Sequence, residues 1–84
     1  MRYFAIQDPT VGFIQFLTRA DDERDAVRRF DDDIGLGEES RNPDDWEITE
    51  LTSQQYEQLD PFDGDDQEAV DLLESWKRDG VTPR

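Results

Sequence analysis

The chain has 84 residues, of which 33% are hydrophobic, so it has the length of one small domain and limited material for a core. Its 23 acidic residues outnumber 9 basic ones, and the net charge of −14 excludes unaided binding to DNA, RNA or an anionic membrane. The absence of Cys and His excludes disulfides, thiol or imidazole catalysis and the usual zinc sites. We therefore expect a positively charged protein partner and no cofactor.

No run of residues approaches the roughly 18 apolar residues that a membrane span requires. The N-terminal apolar run stops at Gln7 and Asp8, which is too early for a secretory signal. We therefore expect a cytoplasmic protein, and the lack of Cys agrees with a reducing compartment.

Two short runs rich in aromatic and branched residues, 2–7 and 13–18, predict β-strands. The residues between them, 8–12, include Asp, Pro and Gly, which are turn formers, so we expect a hairpin. The second run carries apolar side chains on both faces, because Phe13 and Leu17 alternate with its other large residues. We therefore expect the second strand to be the central one.

An amphipathic helix is predicted after the hairpin. Asp21 is a good N-cap, and the acidic residues that follow it are favoured by the helix dipole. Apolar residues recur at helical spacing as far as Ile34, and Gly35 provides the stop. Residues 35–45 have the composition of a long loop, and loops of this kind often carry function.

A third strand and two further helices are predicted in the second half of the chain. Residues 46–51 alternate large apolar and polar side chains, which is typical of a strand. Thr52 and Gln55 have the spacing of a capping box, so a short helix begins there and ends before Pro61, and a last helix begins near Asp65. The last helix carries one apolar stripe: Ala69, Leu72, Leu73 and Trp76.

These elements predict a single α+β domain, residues 1–84, with the order ββαβαα. We expect a small three-stranded antiparallel sheet with its two or three helices on one face, and Ile14 and Phe16 on the same face of one strand. Trp76 is expected to anchor the core. The predicted core residues are the large apolar side chains of these elements: Phe4, Ile6, Ile14, Phe16, Val27, Phe30, Trp46, Ile48, Leu72, Leu73 and Trp76.

The acidic residues are concentrated in the middle of the chain. Residues 31–74 contain 17 acids and one base, Arg41, for a charge of −16, whereas the flanking segments carry +2. Duplex DNA carries one negative charge per about 1.7 Å of axis, and acids about 5–6 Å apart can approximate a strand of phosphates. We therefore expect this segment to bind a basic protein surface. The candidate binding residues lie at a helix end, in the long loop and in a turn: Asp31, Asp32, Asp33, Glu38, Glu39, Asp44, Asp45, Asp63, Asp65 and Asp66.

The same acidity can arise without any partner. A dense acidic surface keeps a small protein soluble. Asp outnumbers Glu by 15 to 8 and Arg outnumbers Lys by 8 to 1, which is typical of adaptation to high internal salt or of a GC-rich genome. The alternative function is therefore a small adaptor or structural domain whose acids serve solubility.

The carboxylates lack the spacing of a metal or catalytic motif. If Gly64 held the sixth position of an EF-hand loop, Leu59 and Pro61 would hold the first and third, and neither offers a side-chain oxygen. Paired acids, the signature of glycosidases, arise by chance among 23 acids in 84 residues. We therefore expect no specific metal site and no enzymatic activity.

The outer face of the hairpin is a second candidate surface. Tyr3, Val11, Phe13 and Leu17 could form an exposed apolar strip for docking or for a homodimer. Alternatively, a terminal segment covers these residues as the second face of a small sheet. An exposed edge strand would offer main-chain pairing to the same effect.

In size, acidity and lack of catalytic residue types, the chain resembles the small phage-encoded inhibitors of host defence, the anti-CRISPR and anti-restriction proteins, several of which resemble DNA in charge. The resemblance is compositional and covers no motif. It implies a stoichiometric inhibitor that occupies the nucleic-acid site of an effector complex in the cytoplasm of a host cell. An antitoxin-like or regulatory partner of a basic protein would show the same acidity.

Overall fold

The computed structural model describes residues 2–35 and 42–78. The elements of these residues, in chain order, are β1 (Arg2–Gln7), β2 (Ile14–Ala20), α1 (Glu23–Ile34), a 3-10 helix (Pro43–Asp45), β3 (Glu47–Leu51), α2 (Ser53–Leu59) and α3 (Gln67–Arg78). The three strands form one antiparallel sheet. The α+β class and the order ββαβαα are therefore confirmed.

The sheet has the strand order β2-β1-β3, so its central strand is β1. The prediction that the second strand is central is wrong. Phe4, Ala5, Ile6 and Gln7 on β1 are all fully buried, as a strand with neighbours on both sides requires. Strand β2 carries apolar residues on both faces because helices cover both sides of the sheet. Such a pattern therefore does not require a central position in the sheet.

A β-bulge near the start of β2 determines which way its side chains point. The register shifts so that Ile14 lies opposite Gln7 and Phe16 lies opposite Ile6. The extra residue, Gln15, breaks the alternation of the strand and places Ile14 and Phe16 on opposite faces. The prediction that these two residues share a face is therefore wrong.

Helices cover both faces of the sheet, so the prediction that they lie on one face is also wrong. On the first face the Phe30 ring of α1 lies 5.2 Å from that of Phe16 and 5.0 Å from that of Trp46. On the second face α2 and α3 pack over Ala5, with Leu73 at the centre of that core. Since successive residues of a strand point to opposite sides, the unbroken apolar run of β1 supplies both cores.

Most of the predicted core is confirmed, but small residues complete it. The buried members of the predicted set are Phe4, Ile6, Ile14, Val27, Phe30 and Leu73. The partly buried members are Phe16, Trp46, Ile48, Leu72 and Trp76. Trp76 packs at the margin of the second core, so Leu73 is the better anchor. Alanines bring the layers close together at four buried positions: Ala5, Ala20, Ala26 and Ala69.

The ends of α1 follow the sequence signals to within one residue. The N-cap is Asp22, whose carboxylate accepts a hydrogen bond from the N–H of Asp25 at 2.8 Å, and not the predicted Asp21. Gly35 ends the helix in the left-handed conformation, with φ of 73°, as predicted.

The caps of α2 and α3 are formed by side chains. The Thr52 hydroxyl accepts from the N–H of Gln55 at 3.1 Å, and the Gln55 side chain accepts from the N–H of Thr52 at 2.9 Å, which confirms the capping box. Helix α3 starts close to the predicted position, and the Asp66 carboxylate accepts from the N–H of Glu68 at 3.0 Å. Asp66 therefore has a structural role.

Two of the four residues of the apolar strip predicted on the β-hairpin, Tyr3 and Leu17, are partly covered. The ring of Tyr3 lies 5.1 Å from that of Tyr56, and Leu17 packs against the second core. Val11 and Phe13, in the connection between β1 and β2, remain 56% and 38% exposed. The structure thus shows the arrangement in which a later segment, α2 and α3, covers the second face of the sheet.

Candidate functional site

The first group of candidate acids ends α1. Asp31, Asp32 and Asp33 lie in its last turn, where the structure places no basic residue. Asp32 and Asp33 are exposed, whereas Asp31 is half-buried. Carboxylates at a helix C-terminus are opposed by the helix dipole, so helix stability does not explain why three of them occur here.

The second group, Asp44 and Asp45, lies apart from the first. Both residues are exposed in the 3-10 helix, and the N–H of Asp44 donates to the Asn42 side chain at 3.1 Å. Asp44 and Asp22 line the same surface depression, at the N-terminal end of α1. A helix of 12 residues is about 18 Å long, so Asp44 and the acids of the last turn lie at opposite ends of α1. Glu38 and Glu39 fall outside the described residues.

The third group lies in the turn between α2 and α3. Asp63 and Asp65 are exposed, and Asp66 is half-buried because it caps α3. The carbonyl of Gly64, between the two exposed acids, accepts from the N–H of Ile14 at 2.9 Å. This bond holds the acidic turn against the start of β2.

The structure extends this third group along both helices. Residues 57–76, which run from α2 into α3, contain eight acids and no base. Five exposed acids of this segment were not among the predicted binding residues: Glu57, Asp60, Glu68, Asp71 and Glu74. The sequence signal that could have included them is the absence of any Lys or Arg from residue 42 to residue 76. Residues at helix ends and in turns can be predicted as exposed from local signals. Acids along a helix become candidates for binding only when the charges of whole segments are compared.

Four basic residues of the described chain form ion pairs with acids: Arg2, Arg28, Arg29 and Lys77. Asp25 on α1 accepts from both Arg28 and Arg29, and the Arg28 hydrogen bond is the main reason that the pKa of Asp25 lies well below its ordinary value. Arg2 on β1 pairs with Glu50 on β3, Nη2 to Oε1 at 2.6 Å, and this lowers the pKa of Glu50. Most of these charges therefore compensate one another locally.

The C-terminal half of α3 is bound to the sheet through a buried amide. Gln7 is fully buried, and its Nε2 donates to the Gly12 carbonyl at 2.8 Å and to Glu74 Oε1 at 3.0 Å. Lys77 Nζ donates to Gln7 Oε1 at 3.1 Å and also pairs with Glu47 and Glu74. The Gln7 hydrogen bond is the largest cause of the lowered pKa of Glu74. Glu74 is therefore part of a structural network.

The other acids of residues 57–76 have no basic partner in the described part of the chain. Across residues 2–35 and 42–78, no ion pair involves the acids from Glu57 to Asp71. We call α2, α3 and the turn between them the α2–α3 hairpin. We define the α2–α3 surface as the six exposed acids of this hairpin that have no ion pair among the described residues: Glu57, Asp60, Asp63, Asp65, Glu68 and Asp71. Among the described residues no Lys or Arg compensates their negative charge, so a cationic surface is complementary to them.

Metal sites and membrane spans find no support in the described part of the chain. Within it, no three carboxylates come close enough together to hold a metal ion. None of its helices has the length and apolar character needed to cross a membrane. The fold and its surface thus define a small α+β domain with one acidic helical layer. No family model, curated protein or solved structure matches this chain.

Proposed function

We propose that this protein is a non-enzymatic binding protein whose α2–α3 surface occupies a basic, nucleic-acid-binding surface of a partner protein. The observation that supports the proposal most strongly is the run of residues 57–76, with eight acids and no base, on two adjacent helices and their turn. The carboxylates would take the place of phosphates, so binding competes with nucleic acid. The partner would be an effector such as a guide-RNA complex or a restriction enzyme.

The arrangement of charges favours the α2–α3 surface over α1 as the contact. Because the six acids of the surface have no ion pairs among the described residues, a partner's Lys and Arg need not displace internal cations. On α1, by contrast, Arg28 is exposed and would repel a basic groove. Unpaired charge of one sign also accelerates association by electrostatic steering.

A pair of matched variants tests this assignment. The first reverses three acids of the α2–α3 surface: Glu57→Lys, Asp63→Lys and Glu68→Lys. The control reverses three exposed acids of the first two groups: Asp32→Lys, Asp33→Lys and Asp45→Lys. Each variant changes the net charge from −14 to −8, and neither removes a cap or an ion pair described above. Circular dichroism and melting should change little, since an exposed substitution alters stability by about 0.5 kcal/mol or less.

Binding is measured to a purified guide-RNA nuclease, a purified restriction endonuclease and any partner recovered from host lysate with the wild-type protein. We expect the α2–α3 variant to lose affinity by at least about a hundredfold, because like charges across an interface cost several kcal/mol. The control should lose only the smaller part due to net charge. Wild-type binding should fall steeply with salt and be competed by DNA or RNA. Binding that is indifferent to salt and to both variants would refute the proposal.

The adaptor function remains the second candidate, because the excess of Arg over Lys and of Asp over Glu favours it. Dense unpaired acids that serve only high-salt solubility would leave the domain largely unfolded at about 50 mM salt and folded at about 1–2 M, where repulsion is screened. We expect instead a cooperative folded state at low salt whose stability rises modestly as salt is added. Circular dichroism melts across this salt range distinguish the two.

A further inference from the structure

Strand β2 lies at one edge of the sheet that the described residues form. In the described structure, β1 is the only strand that pairs with β2. The α2–α3 turn covers one end of this edge, where Ile14 donates its N–H to Gly64. Main-chain groups on a sheet edge are a template for pairing with an added strand, and this is a common mode of peptide recognition.

A cavity lies beside the same edge. It has a volume of about 200 Å³, lies between β2 and the α2–α3 turn, and is open to solvent on one side. Its apolar wall is formed by side chains of β2, α2, the turn and α3, including Leu17, Leu59, Phe62 and Ala69. Since an apolar cavity of about 150 Å³ can take up benzene, there is room here for one large apolar side chain.

The charges around this cavity select the occupant. Asp63 lines the cavity, and Asp65 follows Gly64, whose carbonyl is hydrogen-bonded to β2. Glu68 precedes Ala69, which also lines the cavity, and all three acids are exposed. A second copy of this chain would bring another −14 charges to this acidic site, whereas a cationic strand is complementary to it.

We propose that an extended segment of the basic partner adds to the edge of β2 as a fourth strand of the sheet. One large apolar residue of the segment fills the cavity, and Lys or Arg residues on either side of it contact Asp63 and Asp65. The inference rests on the proposed function, which supplies the basic partner. It adds the way in which that partner binds to the sheet. The other edge strand, β3, is a weaker candidate because its Glu47 and Glu50 are already paired with Lys77 and Arg2.

Synthetic peptides test the pairing without knowledge of the partner. The probe is the acetylated and amidated peptide KKTLTKK, whose seven residues match the length of β2. The first control is the same peptide with N-methyl groups on its three central residues, which keeps the charge but blocks main-chain pairing on both edges. The second control, KKTATKK, keeps the charge and the backbone but cannot fill the cavity. Affinity is measured by titration, and hydrogen exchange is followed at single amides by NMR.

We expect KKTLTKK to slow exchange in β2 and to bind at least about tenfold more tightly than either control. Equal binding of all three peptides, or no change of exchange in β2, would overturn the strand inference. So would the absence of binding by any peptide. These outcomes are distinguishable from a failure of the proposed function, which is judged by the matched charge-reversal variants and the protein probes. A partner that binds through charge alone would be sensitive to those variants but would leave β2 unprotected.

Discussion

Helix α1 lies on one side of the sheet and the α2–α3 hairpin on the other. Both are rich in acidic residues, but they differ in whether basic residues lie beside the acids. On α1, Arg28 and Arg29 lie three and four residues from Asp25 and bind it, so acid and base compensate within the helix. On the hairpin, residues 57–76 contain no base, and among its exposed acids only Glu74 has an ion pair in the described structure, with Lys77. The comparison shows that net charge alone does not distinguish the two layers. The positions of the few bases do, and they are the reason that we propose the α2–α3 surface as the contact.

The two layers also differ in how they are attached to the sheet. Helix α1 packs through aromatic rings, with Phe30 between Phe16 and Trp46. The buried apolar side chains of the hairpin are aliphatic, its aromatic rings are only partly buried, and it is additionally fixed by hydrogen bonds, from Ile14 to Gly64 and from Gln7 to Glu74. A layer fixed at defined points keeps its acids in defined positions, which a complementary surface requires.

The largest difference between the layers should appear on truncation of aromatic residues. Phe30→Ala removes a ring that is 1% exposed and contacts two others, and should cost about 3–5 kcal/mol. Trp76→Ala on the hairpin should cost less, because Trp76 is only partly buried at the margin of its core. Urea denaturation of both variants measures the difference. Equal losses would mean that Trp76 anchors the hairpin as firmly as Phe30 anchors α1.

A pair of glycine substitutions should give an effect of intermediate size. A Cβ added at Gly64 would lie 1.8 Å from the carbonyl oxygen of Ile14, a backbone atom that cannot rotate away. Gly64→Ala should therefore cost about 3 kcal/mol, at the upper end for overpacking, and loosen the hairpin. At Gly35, which ends α1, a Cβ meets no atom within 4 Å, so Gly35→Ala should cost only the roughly 1–2 kcal/mol of a left-handed backbone.

Melting temperatures of the two glycine variants, with circular dichroism to confirm the folded state, test this prediction. In the Gly64→Ala variant, the amide of Ile14 should also exchange faster, because its hydrogen bond to the turn is broken. A Gly64→Ala protein as stable as the Gly35→Ala protein would show that the turn can move away from β2 without loss.

The smallest effect should be a dependence of one ion pair on pH. The Arg2 hydrogen bond holds the pKa of Glu50 below its ordinary value of 4.5, so ionised Glu50 stabilises the folded state above that pH. The stabilisation is lost as the pH falls below 4.5 towards the lower pKa of the folded state. The melting temperature of Glu50→Gln should therefore lie slightly below that of the wild type at pH 7, and the gap should close in acid.

The control for this pair lies on the α2–α3 surface. Glu57 has no ion pair among the described residues, so Glu57→Gln removes only repulsion from neighbouring acids. Its melting temperature at pH 7 should equal or exceed that of the wild type. A loss of stability in Glu57→Gln as large as in Glu50→Gln would contradict the division of the acids into paired and unpaired sets.

Part of the candidate site could be predicted from the sequence and part could not. Asp63 and Asp65 are exposed in a turn, as their neighbours Pro and Gly indicated. Asp66 has the same local signals, yet it caps α3. Asp44 lies beside the N-terminal end of α1, far from the three acids of its last turn. This placement depends on how the elements pack and not on the local sequence. Local chemistry predicts exposure, but it does not predict which exposed groups meet.

The sequence by itself determined the elements and their order. Three local features are the turn between β1 and β2, the capping box at Thr52 and the helix stop at Gly35. They depend on hydrogen bonds and dihedral angles within a few residues, so the local sequence is sufficient to predict them. The concentration of acid between residues 31 and 74 is likewise a property of the chain alone.

Only the tertiary structure decided the strand order, the bulge at Gln15 and the placement of helices on both faces. Each of these depends on the free energy of burial summed over residues far apart in the chain, and several arrangements satisfy the same local pattern. The pairing of Arg2 and Lys77 with distant acids was decided in the same way. That the acids of the α2–α3 surface have no ion pair within residues 2–35 and 42–78 is therefore a consequence of the fold, although every one of these acids is visible in the sequence.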